Sequence, residues 1–437
     1  MAGELNLQVS LVRDIIAANT PQPQLMYALL EASPTGGNVA NVQMPLNLAL
    51  VLDRSGSMNG DKIKNLRLAV KSLIDLLQPT DLISIVTFDD QVQVRLSSQP
   101  ATNKAQMHSI VDAIDDGGGT QMSLGLQSGL SEIQRNLDPN RINKIVLLTD
   151  GNSWGDEATC QALAQTAGQS NIPIVALGLG LPVPIAAPGL PQIAGLNSDD
   201  WNHVLLDSIA QASGGMSDLI DAPTKIVSVF QDVVRAAQAT VVRNAELMLR
   251  VPADVTLRQV WQVLPMIQNL SSRAISPREA QVTLGDIDKT TGKSVLVELA
   301  LPSKPAGKTR IAQAEVTYDV PVAHLVSEKM RVDIVVEYSV EGAINPRIAN
   351  IVEKVSAYKL QTRALQEADA GNIAGATQKL KQAATQLLNL GENDLAQAAL
   401  QEAQNLQQGG QVSASGTKRL TYGTRKLTQN LNDPSNP

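Results

Sequence analysis

Two short apolar runs, each ending in a carboxylate, constrain this chain more than any other feature. Residues 46–52 run into Asp53, and Ile145-Val146-Leu147-Leu148-Thr149 runs into Asp150. A run without polar alternation is the signature of a strand covered on both faces, and such strands belong to parallel sheets. Helical spacing follows the first run at once, with Ile63, Leu66, Ala69, Val70, Leu73, Ile74 and Leu77 on one face of 62–77. Further strands read at 81–88 and 172–178, with a short polar alternating run at 91–96. Helices read at 105–114, 123–137, 157–170, 200–212 and 223–238. Strands alternating with helices predict an α/β fold built on a doubly wound, mostly parallel sheet. Ligands of such sheets sit outside the carboxyl ends of the strands. Asp53, Ser55 and Ser57 lie there, and all three are hard oxygen donors suited to Mg²⁺.

The stretch Asp53-Arg54-Ser55-Gly56-Ser57 resembles the first element of the metal-ion-dependent adhesion site (MIDAS) of von Willebrand factor type A (VWA) domains. That family also carries a Thr in a later loop and an Asp after a later strand. Gly117-Gly118-Gly119-Thr120 and Leu148-Thr149-Asp150-Gly151 match those places in order. The phrase Ile209-Ala210-Gln211-Ala212-Ser213-Gly214-Gly215 is similar to the closing section of bacterial type A domains, so the resemblance spans 44–238 and points to the bacterial intracellular type. It implies that Ser55, Ser57 and Thr120 contact a divalent cation directly, while Asp53 and Asp150 position the metal and its waters. The implied cation is Mg²⁺, with Mn²⁺ or Ca²⁺ as substitutes. A cation held largely by neutral hydroxyls is under-neutralised, so the favoured incoming ligand is an Asp or Glu of a protein partner. Ser55 and Ser57 are also good N-caps for the helix that follows, and both roles can hold together.

An enzyme is not expected. A phosphotransferase with Asp53 as nucleophile would want a second Asp two residues on, where Ser55 stands. No dinucleotide glycine pattern follows the first strand, and His108, His203 and His324 lack metal-ligand spacing. The formal net charge of -7 argues against nucleic acid as the main partner. The expected function is a metal-dependent protein–protein interaction module. The alternatives are a subunit of a chaperone-like assembly with an AAA+ ATPase, a frequent setting of bacterial intracellular type A proteins, and a scaffold that binds through its C-terminal helices.

The remaining chain needs other partners. Residues 5–12 alternate apolar and polar, 25–31 form a second strand, and neither can stand alone. From 239 the texture becomes strands and turns, at 240–251, 255–263, 280–287, 293–301, 309–320 and 331–339. Two strands before the central domain and six after it predict an antiparallel β-sandwich into which the VWA domain is inserted. The boundaries read as 1–43 for the first sandwich strands, 44–238 for the VWA domain and 239–341 for the remaining strands. Residues 342–410 form a helical region, a small bundle with helices at 348–368, 373–390 and 394–406, and 411–437 form a partly disordered tail. The tail's basic patch, Lys418, Arg419, Arg425 and Lys426, reads as solvated surface. Aromatic residues make up only 2% of the chain, so its cores rest on Val, Leu, Ile and Ala. One cysteine, no apolar run long enough to cross a membrane and no signal-like start lead to an expectation of a cytoplasmic protein.

Overall fold

The computed structural model describes residues 4–35, 43–151, 155–180, 202–270, 272–340, 342–409, 411–429 and 431. The long loop that the Pro-, Ala- and Gly-rich sequence at 181–197 predicts, of a kind that is often functional, and the chain end at 432–437 lie outside them. The chain divides into two compact units, 43–240 and the combination of 1–42 with 241–437. Three strands open the second of these: β1 (Leu5–Leu11), β2 (Ile15–Ala17) and β3 (Gln24–Pro34).

The unit 43–240 holds β4 (Leu46–Asp53), α1 (Asp61–Leu76), β5 (Leu82–Phe88), β6 (Val92–Pro100), α2 (Lys104–Asp112), α3 (Met122–Arg135) and β7 (Ile142–Thr149). It continues with α4 (Glu157–Gln169), β8 (Ile174–Leu179), α5 (His203–Ser213), β9 (Met216–Ile220) and α6 (Ile226–Ala239). Its strand order is β6-β5-β4-β7-β8-β9, parallel except for β6 at one edge. All eight residues of β4 are buried, as expected of an apolar run covered on both faces. Helix α3 reaches the sheet closely because Gly125 and Gly129 lack side chains. A Cβ at Gly125 would stand 2.6 Å from Phe88 Cδ1, and one at Gly129 would stand 2.4 Å from Val51 Cγ2. The chain leaves β4 for β5 on one side and returns at β7 on the other. The crevice at this reversal lies between the carboxyl ends of β4 and β7.

The other unit adds β10 (Thr240–Arg250), β11 (Thr256–Leu264), β12 (Gln268–Asn269), β13 (Arg273–Ser276), β14 (Glu279–Asp288), β15 (Lys293–Leu301), β16 (Gly307–Val320) and β17 (Leu325–Ser339). Its two sheets run β1-β3-β15-β11-β12 and β13-β14-β10-β16-β17-β2. Strands from before and after the VWA-like unit thus share each sheet. The two inner faces meet in one core of Leu5, Leu7, Leu30, Leu247, Val297 and Ile334 among others. Strands β3 and β15 are covered on both faces. Ala28 and Leu30 face the sandwich interior, while Leu29 points to the opposite side with Leu296. The pleat puts successive side chains on opposite faces, so doubly covered strands carry apolar residues at consecutive positions.

What covers that second face is helical: α7 (Pro346–Asp369), α8 (Ile373–Asn389), α9 (Asn393–Gly409) and α10 (Ala414–Arg425). Ile348, Ile351, Val355 and Tyr358 of α7 pack on Leu29, Trp261, Val263 and Leu296. Trp261 and Tyr358 meet edge to face at 6.0 Å, and Lys359 Nζ donates to the buried Glu298 at 2.9 Å. Alanines carry much of the helix–helix contact, with Ala364, Ala376, Ala384, Ala399 and Ala403 around Leu380, Leu406 and Leu420.

One expectation is corrected here. Helix α10 lies inside the stretch read as a tail. Ser413 caps it by accepting from Gly416 N at 3.0 Å, and Glu402 in turn accepts from Ser413 N at 2.6 Å. Leu420 and Tyr422 are buried, and Thr428 Oγ1 donates to Val263 O at 2.5 Å. The basic patch is also not simply solvated. Lys418 is 4% exposed, and the Arg425 guanidinium stacks 5.2 Å from the Tyr422 ring centroid. The short strands β2, β9, β12 and β13 were not expected either. Each has too few residues to show a period of its own and is defined by its neighbours' hydrogen bonds.

Candidate functional site

Three segments bring the five expected site residues to the crevice between β4 and β7. Asp53 is the last residue of β4 and is fully buried. Its Oδ1 accepts from Ser55 N at 2.8 Å, which folds the loop back over the strand end. Its Oδ2 accepts from Thr149 Oγ1 at 2.5 Å, tying the ends of β4 and β7 together. Ser55 is 2% exposed, whereas Ser57 lies in the exposed turn Gly56–Met58. The two hydroxyl oxygens stand 3.1 Å apart, and Ser57 Oγ donates to Asp150 Oδ1 at 2.7 Å. Thr120 is half-buried at the end of the glycine loop. Gly151 keeps its approach open, since a Cβ there would lie 3.0 Å from Thr120 Oγ1 and 3.7 Å from Asp53 Oδ2. Asp53 and Ser55 thus form the floor, with Ser57 and Thr120 at the mouth.

Further residues hold this arrangement, and sequence reading did not single them out. Arg54 pairs with Asp89 and donates from Nη1 to Asp115 O at 3.1 Å. Arg54 O accepts from Gly117 N at 2.7 Å, and Gly56 N donates to Gly118 O at 3.0 Å, so the aspartate loop and the glycine loop are laced together. Asp89 sits against Gly118, whose φ of +72° lies in the left-handed region that glycine tolerates best. Lys62 pairs with Asp150 through Oδ2, the oxygen that Ser57 leaves free. Two signals could have found these residues. Asp89 follows a second buried strand at its carboxyl end, and Lys62 is a cation in the first turn of a helix, where the macrodipole disfavours it.

Electrostatically the floor is a buried carboxyl, that of Asp53. Burial pushes the Asp53 carboxyl up to about 6, hydrogen bonds from Ser55 and Thr149 pull it partly back, and the charge of Asp150 adds to the rise. Among the described residues no group of three or more His, Cys, Asp or Glu is placed to hold a metal. The site's donor set is instead three hydroxyls and two carboxylates. Neighbouring ligands of an octahedral Mg²⁺ stand about 2.9 Å apart. The Ser55 and Ser57 hydroxyl oxygens already have close to that separation, at 3.1 Å. The residues present therefore fit a hard divalent cation.

Comparison with known proteins agrees with this architecture. Residues 47–220 match the von Willebrand factor type A domain family, and 346–430 match the family described as Sll0103-like, C-terminal alpha-helical domain. The uncharacterized protein sll0103 of Synechocystis sp. (strain ATCC 27184 / PCC 6803 / Kazusa) is 28% identical over 402 residues, covering 90% of each chain. A von Willebrand factor type A structure from Catenulispora acidiphila superposes with a TM-score of 0.73 at 17% identity, covering 97% of this chain and 96% of that one. The ArnB paralog VWA2 from Sulfolobus acidocaldarius superposes at 0.52 and 14% identity, covering 98% and 99%. The two solved structures share the fold. No helix among the described residues is long and apolar enough to cross a membrane.

Proposed function

We propose that the VWA domain carried by this chain is a cation-dependent docking module whose ligand is an acidic side chain of a partner protein. One observation carries the reading: Asp53, Ser55, Ser57, Thr120 and Asp150, from three separate segments, converge on one crevice with Ser57 and Thr120 at its open side. Ser55, Ser57 and Thr120 would hold Mg²⁺, or Mn²⁺ or Ca²⁺, with Asp53 and Asp150 behind them. When bound, such an ion supplies an electrophilic position that a carboxylate oxygen from outside can occupy.

The chain's own groups do the rest. Asp53 fixes the loop through Ser55 N and the second strand through Thr149, so the hydroxyls are positioned before any ligand arrives. Preorganised donors lose little freedom on binding. Ser57 links Ser55 to Asp150, coupling the front of the site to its back. The Arg54–Asp89 pair anchors the glycine loop that presents Thr120. We read the site as binding and not catalytic, because a phosphotransferase with Asp53 as nucleophile would want a second Asp two residues on, where Ser55 stands. A cytoplasmic setting fits the single, buried Cys160, since reducing compartments preserve free thiols.

Equilibrium dialysis with Mn²⁺ tests the reading on the full chain. Wild type should bind close to one ion, and Ser55→Ala with Ser57→Ala should bind none. Equal binding by both proteins would refute the assignment of these hydroxyls. A partner that the double variant still holds would move recognition to the C-terminal helices.

A further inference from the structure

We infer that Lys62 is a tethered cation that makes metal and acidic ligand depend on one another at this site; the inference rests on the docking function proposed above. Lys62 occupies the first turn of α1, where the positive end of the helix disfavours an ammonium. Its side chain is only 13% exposed, and the Asp150 side chain it meets is fully buried. A cation so placed needs an anion, and Asp150 is divided between two donors. Oδ2 takes Lys62 Nζ, and Oδ1 takes Ser57 Oγ at 2.7 Å. The neighbouring basic groups are engaged elsewhere. Arg54 is held by Asp89 and Asp115 O, and the exposed Lys64 reaches only Asp61 at 3.5 Å.

The charge count gives Lys62 two opposite effects. Before a metal arrives, its ammonium offsets Asp150 and weakens the pull of the site on a divalent cation. Afterwards, the ion and Lys62 together outweigh Asp53 and Asp150 by one positive charge, which a single incoming carboxylate cancels. Replacing Lys62 by a neutral residue leaves a metal-loaded site with no net charge and less reason to take an anion. Lys62 therefore lowers affinity for the bare metal and raises the affinity of the metal-loaded site for a carboxylate. Partner docking would then govern how well the metal is retained. A unit charge a few ångströms from a divalent ion changes affinity by roughly tenfold even at high effective dielectric.

Isothermal titration of Mg²⁺ into the full chain, with and without acetate, tests this on wild type, Lys62→Met and Lys62→Arg. Lys62→Met should bind Mg²⁺ roughly tenfold more tightly without acetate and lose most of the strengthening that acetate gives wild type. Lys62→Arg should keep the wild-type pattern, which separates charge from packing. Unchanged or weaker Mg²⁺ binding by Lys62→Met would overturn the inference and leave Lys62 as a structural brace of Asp150. A wild type that binds no Mg²⁺ would instead overturn the docking function itself, and this inference with it.

Discussion

Replacing Asp53 by Asn should make the metal-free protein more stable at neutral pH while abolishing its metal site. The structure holds this carboxyl at 0% exposure and pushes it from 3.8 up to about 6, chiefly by burial. Between these values the folded chain binds more protons than the unfolded one, so stability falls as pH rises through about 4 to 6 and stays lower above. A rise of roughly two units corresponds to about 3 kcal/mol. Solvent screening does not reduce it, since the group is fully buried. Asn keeps an acceptor for Ser55 N. Its amide can donate to Thr149 Oγ1, because that hydroxyl can turn toward Gly151 O at 3.4 Å. Hydrogen exchange of the β4 and β7 amides, in chelator, reads the stability of this unit within the full chain. Asp53→Asn should exceed wild type by up to about 3 kcal/mol at neutral pH and by less than about 1 kcal/mol near pH 4. A variant no more stable than wild type, with a gap that does not change with pH, would refute the claim that stability is given up here for function.

Other substitutions probe the supports. Gly118→Ala places a Cβ 2.9 Å from Asp89 in a left-handed backbone. It should cost about 1–2 kcal/mol and weaken Mn²⁺ binding through Thr120, as dialysis would show. Gly125→Ala forces α3 off Phe88 and should lower the stability of the 43–240 unit by about 1–3 kcal/mol, seen as faster exchange in the core strands of that unit. Leu420→Ala, on the buried face of α10, should cost about 2–5 kcal/mol, and proteolysis should then cut within 411–429. If that segment stays protected, α10 is not held by its apolar face.

Much of this was legible because the site residues sit at the ends of doubly buried strands. The runs into Asp53 and Asp150 needed no long-range information, and Gly117-Gly118-Gly119-Thr120 marked its own turn. The supports were not legible for the opposite reason. The Lys62–Asp150 and Arg54–Asp89 pairs join residues 88 and 35 positions apart, and although a strand end marks Asp89 and a helix's first turn marks Lys62, nothing local announces which partner each meets. Strand β9, with Ser217 and Asp218 in a five-residue run, exists because β8 offers an unpaired edge. Helix α10 carries glycines at 416 and 423 and a polar start, so its propensity is poor and tertiary packing decides it. The close fit of Gly416 to Glu402 Oε1, where a Cβ would stand 1.9 Å away, turns that weak helix former into a requirement.

The central claim is that the β4–β7 crevice binds a divalent cation and an acidic ligand together. Isothermal titration of Mg²⁺ into wild type and Asp53→Ala, each with and without acetate, measures it directly. The account predicts saturable binding in wild type that strengthens with acetate and vanishes in Asp53→Ala. Absence of binding in wild type, or binding that Asp53→Ala retains, would contradict it.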